Sequence, residues 1–175
     1  MDALLVVDMQ HGLLEGAPKY DLNAVVSRIG EIASHVRRRG GIVIFIQHHG
    51  PAGDLFEPNA PGWELLHEVR RLPEDLVVSK SLNDPFHETG LDATLAGFPI
   101  SRILVSGWAT DLCVDATVRS AASRGYRVVA VADAHTVSDR PHLSAEQVIV
   151  HHHWVWTNLI ATHTVRVVRG TELFE

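Results

Sequence analysis

The chain has 175 residues, 46% of them hydrophobic and 21% charged, a composition that suits one globular domain over residues 1–175 and excludes a disordered or collagen-like chain. Its 15 Lys plus Arg against 21 Asp plus Glu leave a formal net charge of −6, with basic residues dispersed apart from Arg37, Arg38 and Arg39, so nucleic acid is not an expected partner. No apolar stretch approaches the ~18 residues of a membrane span, and Asp2 and Asp8 flank the first apolar run where a signal peptide would be basic, so no membrane association and a cytoplasmic location are expected.

The elements alternate along the chain. Residues 3–7 form a continuous apolar run of strand length. Residues 22–39 then carry Leu22, Val25, Val26, Ile29, Ile32, Ala33 and Val36 at helical spacing. Gly40 and Gly41 stop that helix, and residues 42–46 read as a second apolar, β-branched strand. The Gly- and Pro-rich stretch 48–61 lacks periodicity and reads as a long functional or interface loop. Three further apolar runs, 76–78, 103–105 and 128–131, are separated by helical patterns over 91–96 and 114–123. A helix beginning near Ser144 and a short strand over 165–168 complete the chain. Strands apolar on both faces and separated by helices predict a parallel sheet covered on both sides. The expected fold is therefore an α/β, three-layer, doubly wound sandwich of about six parallel strands, following the open-sheet pattern.

Ligands of such sheets bind beyond the carboxyl ends of the strands, so the polar residues there are the first candidates. Asp8 ends the first strand and Lys80 the third. Either alone reads more readily as a helix-capping carboxylate or a solvated lysine. Cys113, the only cysteine, excludes an intrachain disulfide and an all-cysteine metal site. It follows the turn 106–112 and opens a helical pattern, and a helix amino terminus favours the thiolate, so a lowered thiol pKa is expected. An acid, a lysine and a thiol at three strand ends outline nucleophilic catalysis without a histidine.

With these residues in place, the chain resembles the isochorismatase-like cysteine hydrolases, which include nicotinamidases, N-carbamoylsarcosine amidases and ureidoacrylate amidohydrolases. Four segments carry the resemblance: Leu5 through Asp8-Met9-Gln10; Val78-Ser79-Lys80 through Phe86, with Thr89, Leu91 and Leu95; Val105-Ser106-Gly107-Trp108-Ala109-Thr110-Asp111-Leu112-Cys113 through Thr117; and Gly125 through Asp133-Ala134. The resemblance implies a triad of Asp8, Lys80 and Cys113, and a cis peptide between Trp108 and Ala109. It also implies an oxyanion hole from the N–H groups of Ala109 and Cys113. The implied reaction is cleavage of a small amide, ureido or lactam C–N bond through a thioester. A homodimer or homotetramer acting on a small-molecule substrate is implied as well. Gln10, Leu13, Leu14, Trp63, Phe86 and Trp108 are candidate pocket residues.

Departures from the family pattern narrow the expectation. Where nicotinamidases carry an Asp-x-His metal motif, this chain has Gln47-His48-His49, so neither a metal nor another cofactor is expected. Siderophore-type isochorismatases often lack the cysteine, because vinyl ether hydrolysis needs only the carboxylate; Cys113 therefore favours amide cleavage, with vinyl ether hydrolysis as the alternative. Asp84 stands where the family has a small residue, and a role in substrate choice or subunit contact is expected of it. The run His151-His152-His153 cannot chelate one ion, because consecutive helical residues point about 100° apart. It is read as structural or interfacial. Together with Trp154-Val155-Trp156 and Asp139 to Leu143, it resembles a branch of the family that includes streptothricin hydrolase, which opens a lactam. A flavodoxin-like binding module would share the fold, but no Gly-x-Gly-x-x-Gly follows the first strand, and Gly-x-Ser-x-Gly is also missing.

Overall fold

A computed structural model describes residues 1–174. Six strands, β1 (Asp2–Val7), β2 (Ile42–His48), β3 (Leu76–Lys80), β4 (Arg102–Trp108), β5 (Val128–Thr136) and β6 (Arg166–Val168), form one sheet in the order β3-β2-β1-β4-β5-β6. Every pairing is parallel. The order runs outward in both directions from the β1/β4 junction, the switch point at which doubly wound sheets open a crevice.

The helices are α1 (His11–Leu14), α2 (Leu22–Arg38), α3 (Leu91–Ala96), α4 (Asp115–Ser123) and α5 (Ala145–Thr157). Alternation along each strand divides the core. Leu4, Val6, Val43, Phe45, Leu104 and Val129 face α2, which buries Val25, Ile29, Ile32, Ala33 and Val36 against them. Ala3, Leu5, Val7, Ile44, Ile46, Val105 and Ala130 face the other side, where Leu91, Leu95, Val118, Ala121 and Trp156 cover them. This is the three-layer sandwich that the apolar runs predict. Ser144 caps α5 as expected, its hydroxyl accepting from the Gln147 N–H while the Gln147 side chain accepts from the Ser144 N–H. No helix among the described residues is long and apolar enough to cross a membrane.

The strands extend beyond the apolar runs at the end that carries the chemistry. β2 reaches His48, β3 reaches Lys80 and β4 reaches Trp108. Once neighbouring strands supply hydrogen bonds, polar residues continue the ladder that local hydrophobicity no longer marks. Gly107 is essential at this end. Its φ is +119°, and a Cβ there would lie 2.1 Å from the Val7 carbonyl oxygen.

Candidate active site

Asp8 leaves β1 with φ +51°, a left-handed conformation that Asp adopts more readily than most residues. Its N–H still donates to the Ile46 carbonyl at 2.9 Å, which keeps the turn on the sheet edge. Lys80 enters from β3, two strands away, where it pairs in register with His48 of β2. Its long stem crosses β2, and Nζ donates to Asp8 Oδ2 at 2.7 Å. Both side chains are 1% exposed. The same ammonium donates to Cys113 Sγ at 3.3 Å. Asp8 Oδ1 is buried and has no hydrogen-bond partner.

Cys113 lies in a wide π turn, Thr110–Val114, that precedes α4. The carbonyl of Ala109 accepts from Leu112 N–H at 3.0 Å and from Val114 N–H at 3.1 Å, the latter being the long bond of a π turn. Two side chains hold this turn from outside: Asp111 takes a two-pronged contact from Arg140, at 2.7 Å to Nε and 2.6 Å to Nη2, and Thr110 Oγ1 lies 2.8 Å from His135 Nδ1. Burial raises the Asp111 pKa, but the Arg140 hydrogen bonds and charge more than offset this, so the net shift is downward. The peptide between Trp108 and Ala109 is cis. Ala109 packs with Val137, Ala145, Val148 and Ile149 behind the turn.

The structure thus brings Asp8, Lys80 and Cys113 into one cluster, with the sulfur half-buried and both other groups fully enclosed. It overturns the expected direction of the thiol pKa. Burial pushes the Cys113 thiol up to about 12; the Asp8 carboxylate adds to that shift, and Lys80 opposes it. A wide turn beside a carboxylate is a different environment from the amino end of a regular, solvated helix. At rest the sulfur is a thiol, so it needs a base within reach. Asp8 provides one.

Several candidate pocket residues have other tasks. Gln10 is fully buried and spends its amide on the scaffold: Nε2 donates to His48 O and Trp63 O, and Oε1 accepts from His48 N–H, all at 2.8 Å. Leu14 packs in the core beneath α2. Phe86 is buried against Tyr126, with the Arg124 guanidinium 4.5 Å from its ring centroid. Leu13, Trp63 and Trp108 remain partly exposed, and Lys19 Nζ stands 5.2 Å from the centroid of the Trp108 ring. Asp84 is likewise a structural residue. Its Oδ1 accepts from Phe86 N–H at 2.9 Å and its Oδ2 from Ser120 Oγ at 2.8 Å, tying the segment after β3 to α4.

Two further residues stand at this end of the sheet, one beside the sulfur and one in register with Lys80. Asn83 Oδ1 lies 3.7 Å from Cys113 Sγ. His48 packs its ring at 5.3 Å from Phe56, and burial followed by the Lys80 charge lowers its pKa. A cavity of about 790 Å³ runs along α2 and includes none of Asp8, Lys80 and Cys113. Cys113 itself is partly exposed.

Residues 2–153 match the isochorismatase domain family. The chain belongs to the isochorismatase family. Among the family's curated members, it is similar to a streptothricin hydrolase of Streptomyces noursei, 37% identical over 142 residues, which are 81% of this chain and 51% of that protein. It is also similar to the ureidoacrylate amidohydrolase RutB of Variovorax paradoxus, 28% identical over 170 aligned positions covering 75% of this chain and 67% of the relative. A crystal structure of another isochorismatase family protein superposes with a TM-score of 0.86 at 27% identity, covering 95% of this chain and 97% of that one. The chain spans about half the length of the streptothricin hydrolases it matches.

Proposed function

We propose that this isochorismatase-family chain is a hydrolase that cleaves the C–N bond of a small amide, ureido compound or lactam through a thioester on Cys113. The observation that carries this reading is the position of Lys80 Nζ, in contact with both Asp8 Oδ2 and Cys113 Sγ, while Asp8 Oδ1 has no partner. That oxygen is the free lone pair a resting thiol needs. The relatives named for streptothricin and ureidoacrylate hydrolysis support the choice of bond.

Asp8 accepts the thiol proton as sulfur attacks the carbonyl carbon. The carbonyl π pair moves onto oxygen, where the N–H groups of Ala109 and Cys113 stabilise it, each by about 3 kcal/mol on the scale of oxyanion donors. Collapse expels the amine, which takes the proton from Asp8 and leaves a thioester. Asp8 then removes a proton from water, the resulting hydroxide attacks the thioester, and the acid departs. The proton held by Asp8 returns to sulfur. Throughout, Lys80 keeps a positive charge beside whichever of Asp8 and Cys113 is anionic.

A vinyl ether hydrolase would need the carboxylate alone, and the free Asp8 Oδ1 is compatible with it. The two readings separate in one experiment. Wild type and Cys113→Ala are assayed for ammonia or amine release from a panel of primary amides, ureido compounds and lactams, alongside isochorismate. Turnover of a C–N substrate that Cys113→Ala abolishes supports the proposal; turnover of isochorismate alone, retained by Cys113→Ala, overturns it.

A further inference from the structure

His135 lies near the end of β5, opposite Gly107 of β4. The pairing of β4 with β5 is irregular there: Val105 pairs with Ala130, yet Gly107 pairs with His135, so β5 holds three extra residues over the same span. Bulges of this kind re-aim a side chain beside functional sites. Here the bulge brings an imidazole to the level of the turn that carries the nucleophile.

The ring is fully buried and both nitrogens are engaged. Nδ1 lies 2.8 Å from Thr110 Oγ1, and Nε2 lies 3.0 Å from His153 Nε2. The edge of the Trp156 ring meets it at 5.1 Å between centroids, and Trp156 Nε1 donates to Asp115 Oδ1 at 2.8 Å, at the start of α4. Of the three consecutive histidines on α5, His153 thus supplies the inward contact, and His152 binds its own helix through the Val148 carbonyl. A neutral imidazole has one donor and one acceptor on opposite edges, which is what two partners on opposite sides require.

We propose that His135 is a positioning residue for Cys113: braced by His153, it holds Thr110 and so fixes the Thr110–Val114 turn that presents the sulfur to Asp8. This rests on Cys113 being the nucleophile. Thr110 stands at the head of the turn, three residues before the sulfur, and its hydroxyl is fully buried with His135 as its partner. The proposal accounts for His153 and for the bulge in β5 together.

The two ring edges can be tested separately. Asparagine places an amide near the position of Nδ1 and glutamine near that of Nε2, so His135→Asn keeps a partner for Thr110 and His135→Gln keeps one for His153. Thr110→Val removes the hydroxyl at constant shape, and Thr110→Ser restores it. Each full-length variant is first shown to be folded by thermal melting. It is then measured for kcat and KM on the best amide of the panel, and for iodoacetamide alkylation of Cys113 across pH. His135→Gln and Thr110→Val are expected to lose about 10- to 100-fold in kcat with KM little changed, as misplacement by about 1 Å does. Both should shift the pH midpoint of alkylation in the same direction. His135→Asn and Thr110→Ser should recover most of the loss. Equal losses in His135→Asn and His135→Gln, a loss confined to KM, or an unmoved alkylation profile in Thr110→Val would overturn the proposal. If no panel amide is turned over, the alkylation profiles decide it. Full turnover by Cys113→Ala would instead sink the nucleophile reading on which it rests.

Discussion

Asp8 and Lys80 form a completely buried ion pair that reaches across a strand, with 2.7 Å between Oδ2 and Nζ and both side chains 1% exposed. Isolating either charge at that depth is costly, because its hydration is gone and the partner supplies its counter-charge. Lys80→Met should therefore destabilise the fold by about 3 to 5 kcal/mol, read from urea denaturation. The double variant Asp8→Asn with Lys80→Met should recover much of that loss. If the two single losses simply add in the double variant, the pair is not coupled as described.

The thiol makes a prediction with a definite sign. A pKa pushed up to about 12 by burial and by Asp8 means that Cys113 is protonated at neutral pH. Iodoacetamide reacts with the thiolate, so alkylation should be slow at pH 7 and still rising above pH ~9, beyond the ~8.5 of a free cysteine. Asp8→Asn removes the opposing negative charge and should move the profile to lower pH. Lys80→Met removes the cation and should move it higher. A wild-type midpoint below ~8.5 would contradict the account of this site.

Gly107 is constrained on two counts, by φ +119° and by the backbone of Val7, which a Cβ would meet at 2.1 Å. Gly107→Ala should cost about 3 kcal/mol or more and separate β4 from β1 where Asp8 emerges. Thermal melting and soluble yield report it. An alanine variant that melts with the wild type would show that the β1/β4 junction yields easily.

The central strands were legible because a parallel strand buried on both faces is apolar without interruption, as residues 3–7 and 42–46 are. The extensions of β2 to His48 and of β4 to Trp108 were not, because those depend on hydrogen bonds from neighbouring strands. The residues of the triad cluster were recognisable from their places at strand ends and from the resemblance. The direction of the thiol pKa was misread: it follows from how deeply Asp8 and Cys113 are enclosed together, a property of tertiary packing with no local pattern. Gln10, Phe86 and Asp84 show the same limit. Each makes a contact distant in sequence, with His48, Tyr126 and Ser120 respectively, that no local pattern announces. His135 was invisible for that reason too, since its partners come from the turn after β4 and from α5.

Metal independence is expected from the donor set. β2 ends in Gln47 and His48 with no adjacent carboxylate, and no group of three or more His, Cys, Asp or Glu among the described residues is placed to hold an ion. Turnover should survive prolonged EDTA treatment, and elemental analysis should find no stoichiometric metal. Loss of activity that zinc, manganese or iron restores would contradict this.

The most direct measurement of the central claim is mass spectrometry of enzyme quenched in acid during turnover of a panel amide. The account predicts a mass increase equal to the acyl group on the peptide containing Cys113, absent in Cys113→Ala and chased away as substrate is consumed. Active enzyme that never carries such an adduct, together with full turnover by Cys113→Ala, would contradict it.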